Sequence, residues 1–231
     1  LDGVMIMGAF SSILFVSNMQ GYISGQGLLL LAILVAAATG GIFSLLLAYS
    51  AVNMKADQII GGTALNLFAP AFAIYAARTI QTNGVQQIQF TNTFRISKVP
   101  VLGDIPIIGK MFFSNCYITT YIGFAILIIA AIVLYKTKFG LRLRSCGEYP
   151  QAADSVGISV YKMRYAGVII SGVLGGIGGL VFIVPTSTNF DATVAGYGFL
   201  ALAVMIFGQW KPFRILFAAM FFGLMQTIAS A

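Results

Sequence analysis

Tyr117-Ile-Thr-Thr-Tyr-Ile-Gly-Phe-Ala-Ile-Leu-Ile-Ile-Ala-Ala-Ile-Val-Leu-Tyr135, followed by Lys136-Thr-Lys138-Phe-Gly-Leu-Arg142-Leu-Arg144, is the stretch that decides the fold class. Its first nineteen residues carry no charge, close to the about 20 that a helix needs to cross a hydrocarbon core of about 30 Å. Tyr117, Tyr121 and Tyr135 near its ends suit the two membrane–water interfaces. The same pattern recurs outward in both directions. No charge falls between Asp2 and Lys55, Asp57 and Arg78, Arg164 and Asp191, or Asp191 and Lys211, and each gap predicts at least one span. Across the whole chain, hydrophobic residues are 59%, charged residues 8% and mean hydropathy +0.94. Soluble domains carry about 25% charged residues, so a water-exposed surface is excluded. These features predict an all-α polytopic membrane protein, a transmembrane helix bundle with one or more broken or re-entrant helices, forming a single domain over 1–231. The uncharged run after Arg214 ends within an apolar segment, and Leu1 opens without a basic n-region or cleavage site. Both ends read as truncated.

Net charge is +7, but its placement says more than its size. Six of the thirteen basic residues, Lys136, Lys138, Arg142, Arg144, Lys162 and Arg164, flank or fill one connection, 137–164. Short Lys/Arg-rich connections stay cytoplasmic, which puts 79–110 on the extracytoplasmic side. Without interleaved stacking aromatics the basic residues do not read as a nucleic-acid surface. The natural partner of such a chain is a lipid bilayer.

Individual spans have distinct characters. Val4–Val16 precedes a polar break at Ser17–Gly27, and Leu28–Ala51 carries Gly40 and Gly41 at its centre, a mark of close packing or a bend. Gln58–Ala77 contains Thr63, Asn66 and Pro70, which predicts a kink or interruption near the proline. From Gln87 to Ile96 apolar residues alternate with polar ones, with Asn92 breaking the apolar face. Either short strands, a hairpin, or an irregular loop fits, ended by turns at Pro100, Gly103, Pro106 and Gly109. Tyr165–Pro185 carries overlapping small-xxx-small pairs among Gly172, Gly175, Gly176 and Gly179, and Tyr197–Gln209 has the length of a re-entrant helix.

The polar residues exclude several chemistries. The six acidic residues all lie in connections or at segment ends, so no proton relay is visible within a span. There is no His and no CxxC, hence no metal or redox ligand set. Cys116 and Cys146 fall near opposite faces, too far apart to bridge. No phosphate loop or catalytic triad is present, so the chain does not read as an enzyme. Thr63 and Asn66, with Phe72 and Tyr75 further along the same span, are candidates to line a route for an uncharged polar solute. For Asn66 the alternative is a tie between helices, since an amide facing lipid would lack partners. Within 137–164, Pro150 and Gly157 bracket a helix of about two turns. Ala152 and Ala153 would permit close approach of a partner, and Glu148 and Asp154 offer acceptors; resting on lipid headgroups is the alternative.

Gly140-Leu-Arg-Leu-Arg-Ser-Cys-Gly-Glu-Tyr-Pro-Gln-Ala-Ala-Asp-Ser-Val-Gly157, with Tyr161, Arg164 and Tyr165, closely resembles the cytoplasmic coupling segment of bacterial ABC transporter permeases. The group is that of the ribose-type and branched-chain amino acid importers, with most similarity to its nucleoside (guanosine-like) permeases. Asp2-Gly3 with Met7-Gly8-Ala9-Phe10 is similar to the family's early Glu-Gly motif, with Asp for Glu. Asp57–Leu67, Leu102–Gly109 and Gly196–Ala203 through Trp210 and Pro212 continue the resemblance. It implies the membrane subunit of an importer working by alternating access. ATP and magnesium would sit on a separate cytoplasmic ATPase subunit, none on this chain. A second permease subunit, identical or different, and an extracytoplasmic solute-binding protein are the other implied partners. Gly147, Glu148, Pro150, Ala152, Ala153, Asp154 and Gly157 would form the coupling helix and its ends. A sugar or branched-chain amino acid permease, or an ATP-independent carrier, are the alternatives.

Overall fold

The computed structural model describes residues 2–22, 25–80, 87–90, 94–98 and 114–229. Apolar runs without charges become helices because lipid offers the backbone no hydrogen-bond partner other than itself. In chain order the helices, apolar and polar together, are α1 (Asp2–Met19), α2 (Gln26–Val52), α3 (Gln58–Ile80), α4 (Ile118–Lys136), α5 (Lys138–Glu148), α6 (Pro150–Ser155), α7 (Val160–Thr186), α8 (Tyr197–Phe207) and α9 (Pro212–Ala229). Six of them, α1, α2, α3, α4, α7 and α9, are long and apolar enough to cross a membrane. The bundle is polytopic, as the charge gaps predict. At 11 residues, or about 16 Å, α8 covers roughly half of a hydrocarbon core.

The centre is a three-helix contact of α1, α2 and α7 through glycine. A Cβ placed on Gly176 would lie 2.2 Å from the Ala36 carbonyl oxygen, and one on Gly40 would lie 2.3 Å from the Gly172 oxygen. One on Gly8 would lie 2.4 Å from the Gly176 Cα, and one on Gly179 2.0 Å from the Met5 oxygen. Backbones therefore touch where side chains would hold them apart, which is how helices associate when lipid removes the hydrophobic driving force. Ser11 Oγ and Thr39 Oγ1, 2.7 Å apart, add a hydrogen bond between α1 and α2. Gly40 and Gly41 thus mark close packing. Around this contact Ile13, Leu28, Leu29 and Leu180 are fully buried.

Several expectations change in detail. The break at Ser17–Gly27 is shorter than expected, since α1 runs to Met19 and α2 starts at Gln26. α3 is unbroken through Pro70. The proline has no N–H for the Asn66 carbonyl, yet the turn on either side persists. Among the described residues the alternating run forms two short strands, one of the open alternatives, and they do not pair with each other: β1 (Ile88–Gln89) pairs antiparallel with β4 (Asn189–Phe190), and β2 (Arg95–Lys98) with β3 (Ser114–Tyr117). The alternation itself is visible where described, with Ile88, Phe90 and Phe94 buried and Gln87 and Gln89 exposed. Asn92 and the turns at Pro100, Gly103, Pro106 and Gly109 lie outside the described residues. The connection 137–164 is mostly helical, because Thr137 caps α5, its hydroxyl oxygen accepting from the Gly140 N–H at 3.2 Å.

The placement of the last two helices follows from contacts at the basic end of the bundle. Tyr135 and Lys136 at the end of α4 line one groove with Lys211, Pro212, Phe213 and Arg214. The turn between α8 and α9 therefore lies beside 137–164, and α9 leads away from it. Gly208 lets that turn close, since a Cβ there would lie 2.5 Å from Ile215 Cγ1.

The glycine contact is directly testable. Gly176→Ala drives a methyl into the Ala36 carbonyl and is expected to cost about 1–3 kcal/mol. Gly62→Ala and Gly123→Ala, at helical glycines with open space around them, are expected to be neutral or stabilising by up to about 1 kcal/mol. Thermal unfolding of the purified protein in detergent measures both; equal losses at all three positions would exclude the contact as the organising feature.

Candidate functional site

Two places in the molecule concentrate polar groups. The first is built by 137–164. Gly140 makes the sharp corner from α4 into α5, where a Cβ would lie 2.2 Å from the Val133 oxygen. The Arg144 guanidinium sits 4.8 Å from the centroid of the Tyr135 ring and holds α5 against α4. Cys146 is buried on the inner face of α5 as a free thiol.

α6 begins at Pro150, where the missing N–H costs nothing. It ends in a complete glycine cap. The Ile158 N–H donates to the Ala153 oxygen at 3.0 Å and the Gly157 N–H to the Asp154 oxygen at 2.9 Å, the paired bonds of a Schellman ending. Gly157 takes φ +81°, a conformation that costs a residue with a Cβ about 1–2 kcal/mol. The predicted short helix and both its boundaries are present.

The structure separates the two alanines: Ala153 is buried and Ala152 exposed. Ser145, Glu148, Tyr149, Ala152, Ala153, Val156 and Ile158 line a shallow groove of about 240 Å³. Tyr149 and Val156 beside it are 61% and 79% exposed. Glu148, Asp154 and Gly147 are exposed as well.

A link to the rest of the bundle was not visible in the sequence. Asn53, the last residue of the α2 end, accepts on its Oδ1 from the Tyr161 hydroxyl at 2.6 Å and the Tyr165 hydroxyl at 2.5 Å. The two rings, one turn apart on α7, have centroids 5.1 Å apart. Tyr161 and Tyr165 stand in the motif, but nothing in the sequence pairs them with a residue more than a hundred positions away.

The second place lies inside the bundle. Asn66 Oδ1 accepts from the Gly3 N–H at 2.8 Å, tying α3 to α1. Asp2 Oδ1 accepts from the Gly198 N–H at 2.8 Å, and so caps the first turn of α8, which has no side-chain cap of its own. A carboxylate at a helix N-terminus also meets the positive end of the helix dipole. Asn66 is eight residues into α3, roughly 12 Å from its start, so Asp2 beside it is within the bundle. Asp2 is at a segment end, as the sequence predicts, and is half-buried there because that end meets a half-length helix.

The four candidates on α3 do not converge. At about 100° per residue, Phe72 lies roughly opposite Thr63 and Tyr75 about 120° from it. Thr63 is exposed, its hydroxyl donating to the Ile60 oxygen of its own helix at 2.9 Å. Phe72 stacks on Phe68 at 5.6 Å, and Phe68 on Phe43 of α2 at 6.2 Å. Tyr75 is exposed on the outer face. Among the described residues no cluster of His, Cys, Asp or Glu is arranged to hold a metal ion.

With this geometry in place, comparison with known proteins is informative. The family model described as branched-chain amino acid transport system / permease component matches residues 1–231. The nucleoside ABC transporter permease protein NupC of Lactococcus lactis is 44% identical over 230 residues, 99% of this chain and 72% of the relative. The guanosine ABC transporter permease protein NupQ of Bacillus subtilis gives the same identity and the same coverage. NupB, a second nucleoside permease protein of Lactococcus lactis, is 34% identical over 116 residues, 49% of this chain and 32% of the relative. No solved structure matches.

The cap on α8 makes a prediction. Asp2→Leu strands the Gly198 N–H inside the bundle and is expected to cost about 1–3 kcal/mol, whereas Asp2→Asn keeps an acceptor oxygen and recovers most of it. Thermal unfolding in detergent reads the difference, and a Leu variant as stable as the wild type would show that the bond carries no weight.

Proposed function

This chain belongs to the family of permease components of the branched-chain amino acid transport system, and from that premise we propose that it is the membrane subunit of an ABC importer carrying nucleosides. Support for the solute comes from NupC and NupQ, whose names state nucleoside and guanosine transport. The chain has no site for nucleotide hydrolysis in its sequence, and energy enters from a separate cytoplasmic ATPase subunit that binds ATP and magnesium. A solute-binding protein delivers nucleoside on the opposite face. The similarity of both NupB and NupC, from one organism, supports a pore made of two related but different permease chains.

The observation that carries this reading is the groove around α6. A capped two-turn helix at the basic end, with exposed Tyr149, Val156 and Glu148 on its groove and Asp154 exposed nearby, offers an aqueous protein both apolar area and hydrogen-bond acceptors. A segment lying on lipid headgroups would instead turn its apolar residues toward the membrane. The basic end is then the cytoplasmic face of a bacterial cell membrane, in line with the distribution of Lys and Arg. Residues 137–164 form the coupling segment, and 79–110 with β4 belongs to the extracytoplasmic face.

The connections of α6 support alternating access as the working cycle. Movement of α6 by the ATPase passes through Gly157 to Ser159 into α7, and through Tyr161, Tyr165 and Asn53 to the end of α2. Both helices meet at the central glycines, so a push at the cytoplasmic face tilts them together. α8, held to α1 by Asp2, follows. Asn66 in this scheme binds helices together, and solute runs past other surfaces of the bundle.

Two experiments test the scheme in the assembled transporter. Ala152→Trp, at an exposed position, is expected to weaken docking at least about tenfold, worth about 1.4 kcal/mol. It should abolish most nucleoside uptake while the permease still assembles; Ala153→Trp, at a buried one, lowers the assembled amount instead. Normal uptake by Ala152→Trp overturns the docking assignment. Asn53→Leu removes two exposed hydrogen bonds worth about 0.5–1.5 kcal/mol each. It is expected to lower the nucleoside moved per ATP hydrolysed with little loss of assembled protein, and an unchanged ratio removes Asn53 from the transmission route.

A further inference from the structure

A groove of about 560 Å³ lies between the end of α4 and the start of α9. Its walls are of two kinds. Ile128, Ala131, Ile132 and Phe213 make its apolar lining, or floor, and Lys136, Lys211 and Arg214 its cationic lining, with Tyr135 and Pro212 completing the wall. No acidic residue lines it. Arg214 is steadied by donating to the Gln209 side-chain oxygen, and Arg144, stacked on the other face of the same region through Tyr135, adds a further cation nearby. Lys136 belongs to the last turn of α4, Lys211 directly precedes α9 and Arg214 falls in its first turn, so the cations gather at helix ends while Ile128, Ala131 and Ile132 lie further into α4.

An inorganic anion would use the cations and leave the floor uncovered; a neutral lipid or a detergent tail would cover the floor and leave the cations without a counter-charge. An amphiphile with a phosphodiester at the end of an acyl chain satisfies both. Cationic pockets between membrane helices on the cytoplasmic side recognise lipid headgroups in this way. We propose that the groove between α4 and α9 seats an anionic phospholipid of the adjoining leaflet, its phosphate among Lys136, Lys211 and Arg214 and one acyl chain along Ile128, Ala131, Ile132 and Phe213. The site is separate from the α6 groove and does not depend on docking of an ATPase. Its occupant would tie α9 and α4 together at the surface where α5 leaves the membrane.

The test uses the complete transporter, purified in detergent from membranes containing phosphatidylglycerol and then reconstituted in phosphatidylcholine vesicles with or without added phosphatidylglycerol. Lipid extraction measures what each variant retains. Lys211→Gln and Arg214→Gln are each expected to reduce retained phosphatidylglycerol about fivefold. Ala131→Phe, which fills the floor and leaves every cation in place, is expected to reduce it as well; Ile128→Trp provides the same block from an exposed position if Ala131→Phe does not assemble. Stimulation of uptake by added phosphatidylglycerol should be lost in the same variants. Retention unchanged in all of them means that protein, either a further segment or a second permease chain, covers the groove, and overturns the proposal. Loss in the charge variants without loss in the floor variants means diffuse attraction to the membrane surface and overturns it equally.

Discussion

Three backbones that touch, at Gly8, Gly40 and Gly176, are the constraint on which the rest of this protein depends. In water a bundle is held by removing apolar side chains from solvent, but lipid tails are as apolar as leucine and supply no such force. What remains is close packing and buried polar bonds. Glycine allows carbonyl and Cα atoms of neighbouring helices into contact, and Ser11 with Thr39 adds a hydrogen bond beside it. The result is a stiff unit of α1, α2 and α7 on which α3 packs, while α9 meets α8 and α4 instead. No residue of α9 is buried within the chain, so its apolar faces are available to lipid or to more protein.

Stiffness at the centre gives the polar bonds elsewhere their meaning. α1 is a hub whose first turn holds α3 through Asn66 and α8 through Asp2. Beyond the C-terminal end of α2, Asn53 gathers two tyrosines of α7. A displacement applied to α6 has few soft joints to be lost in. Gly157 is one, and its left-handed conformation makes it a defined turn rather than a loose one.

Much of this was legible in the residues. Charge gaps of helical length marked the spans, Gly172 through Gly179 marked the packed face of α7, and Pro150 with Gly157 bracketed α6 to within a residue or two. These features are local: length against bilayer thickness, a repeat of three or four positions, and the backbone preferences of proline and glycine. What the residues left open or missed has several causes. Alternation from Gln87 to Ile96 signalled strands but not their partners, which lie far along the chain. Pro70 suggested an interruption, yet α3 continues because neighbouring turns hold the helix around a single missing bond. Amphipathic α5 was hidden among residues that, by charge alone, resembled a connection. The α3 candidates share one segment in the sequence, and the helical rotation sets them on different sides of the cylinder.

By itself the sequence determined that the solvent is lipid, which charge gaps can hold a span, which connection is basic, and where a short helix starts and stops, since each depends only on neighbouring residues and the thickness of a bilayer. Tertiary structure alone decided that Asp2 caps a helix 196 positions away, that Asn66 spends its carbonyl oxygen on Gly3, and that Ala153 is hidden while Ala152 is not. Those facts depend on which backbones come into contact, and contact is set by the joint packing of several helices, a quantity that no single stretch of residues contains.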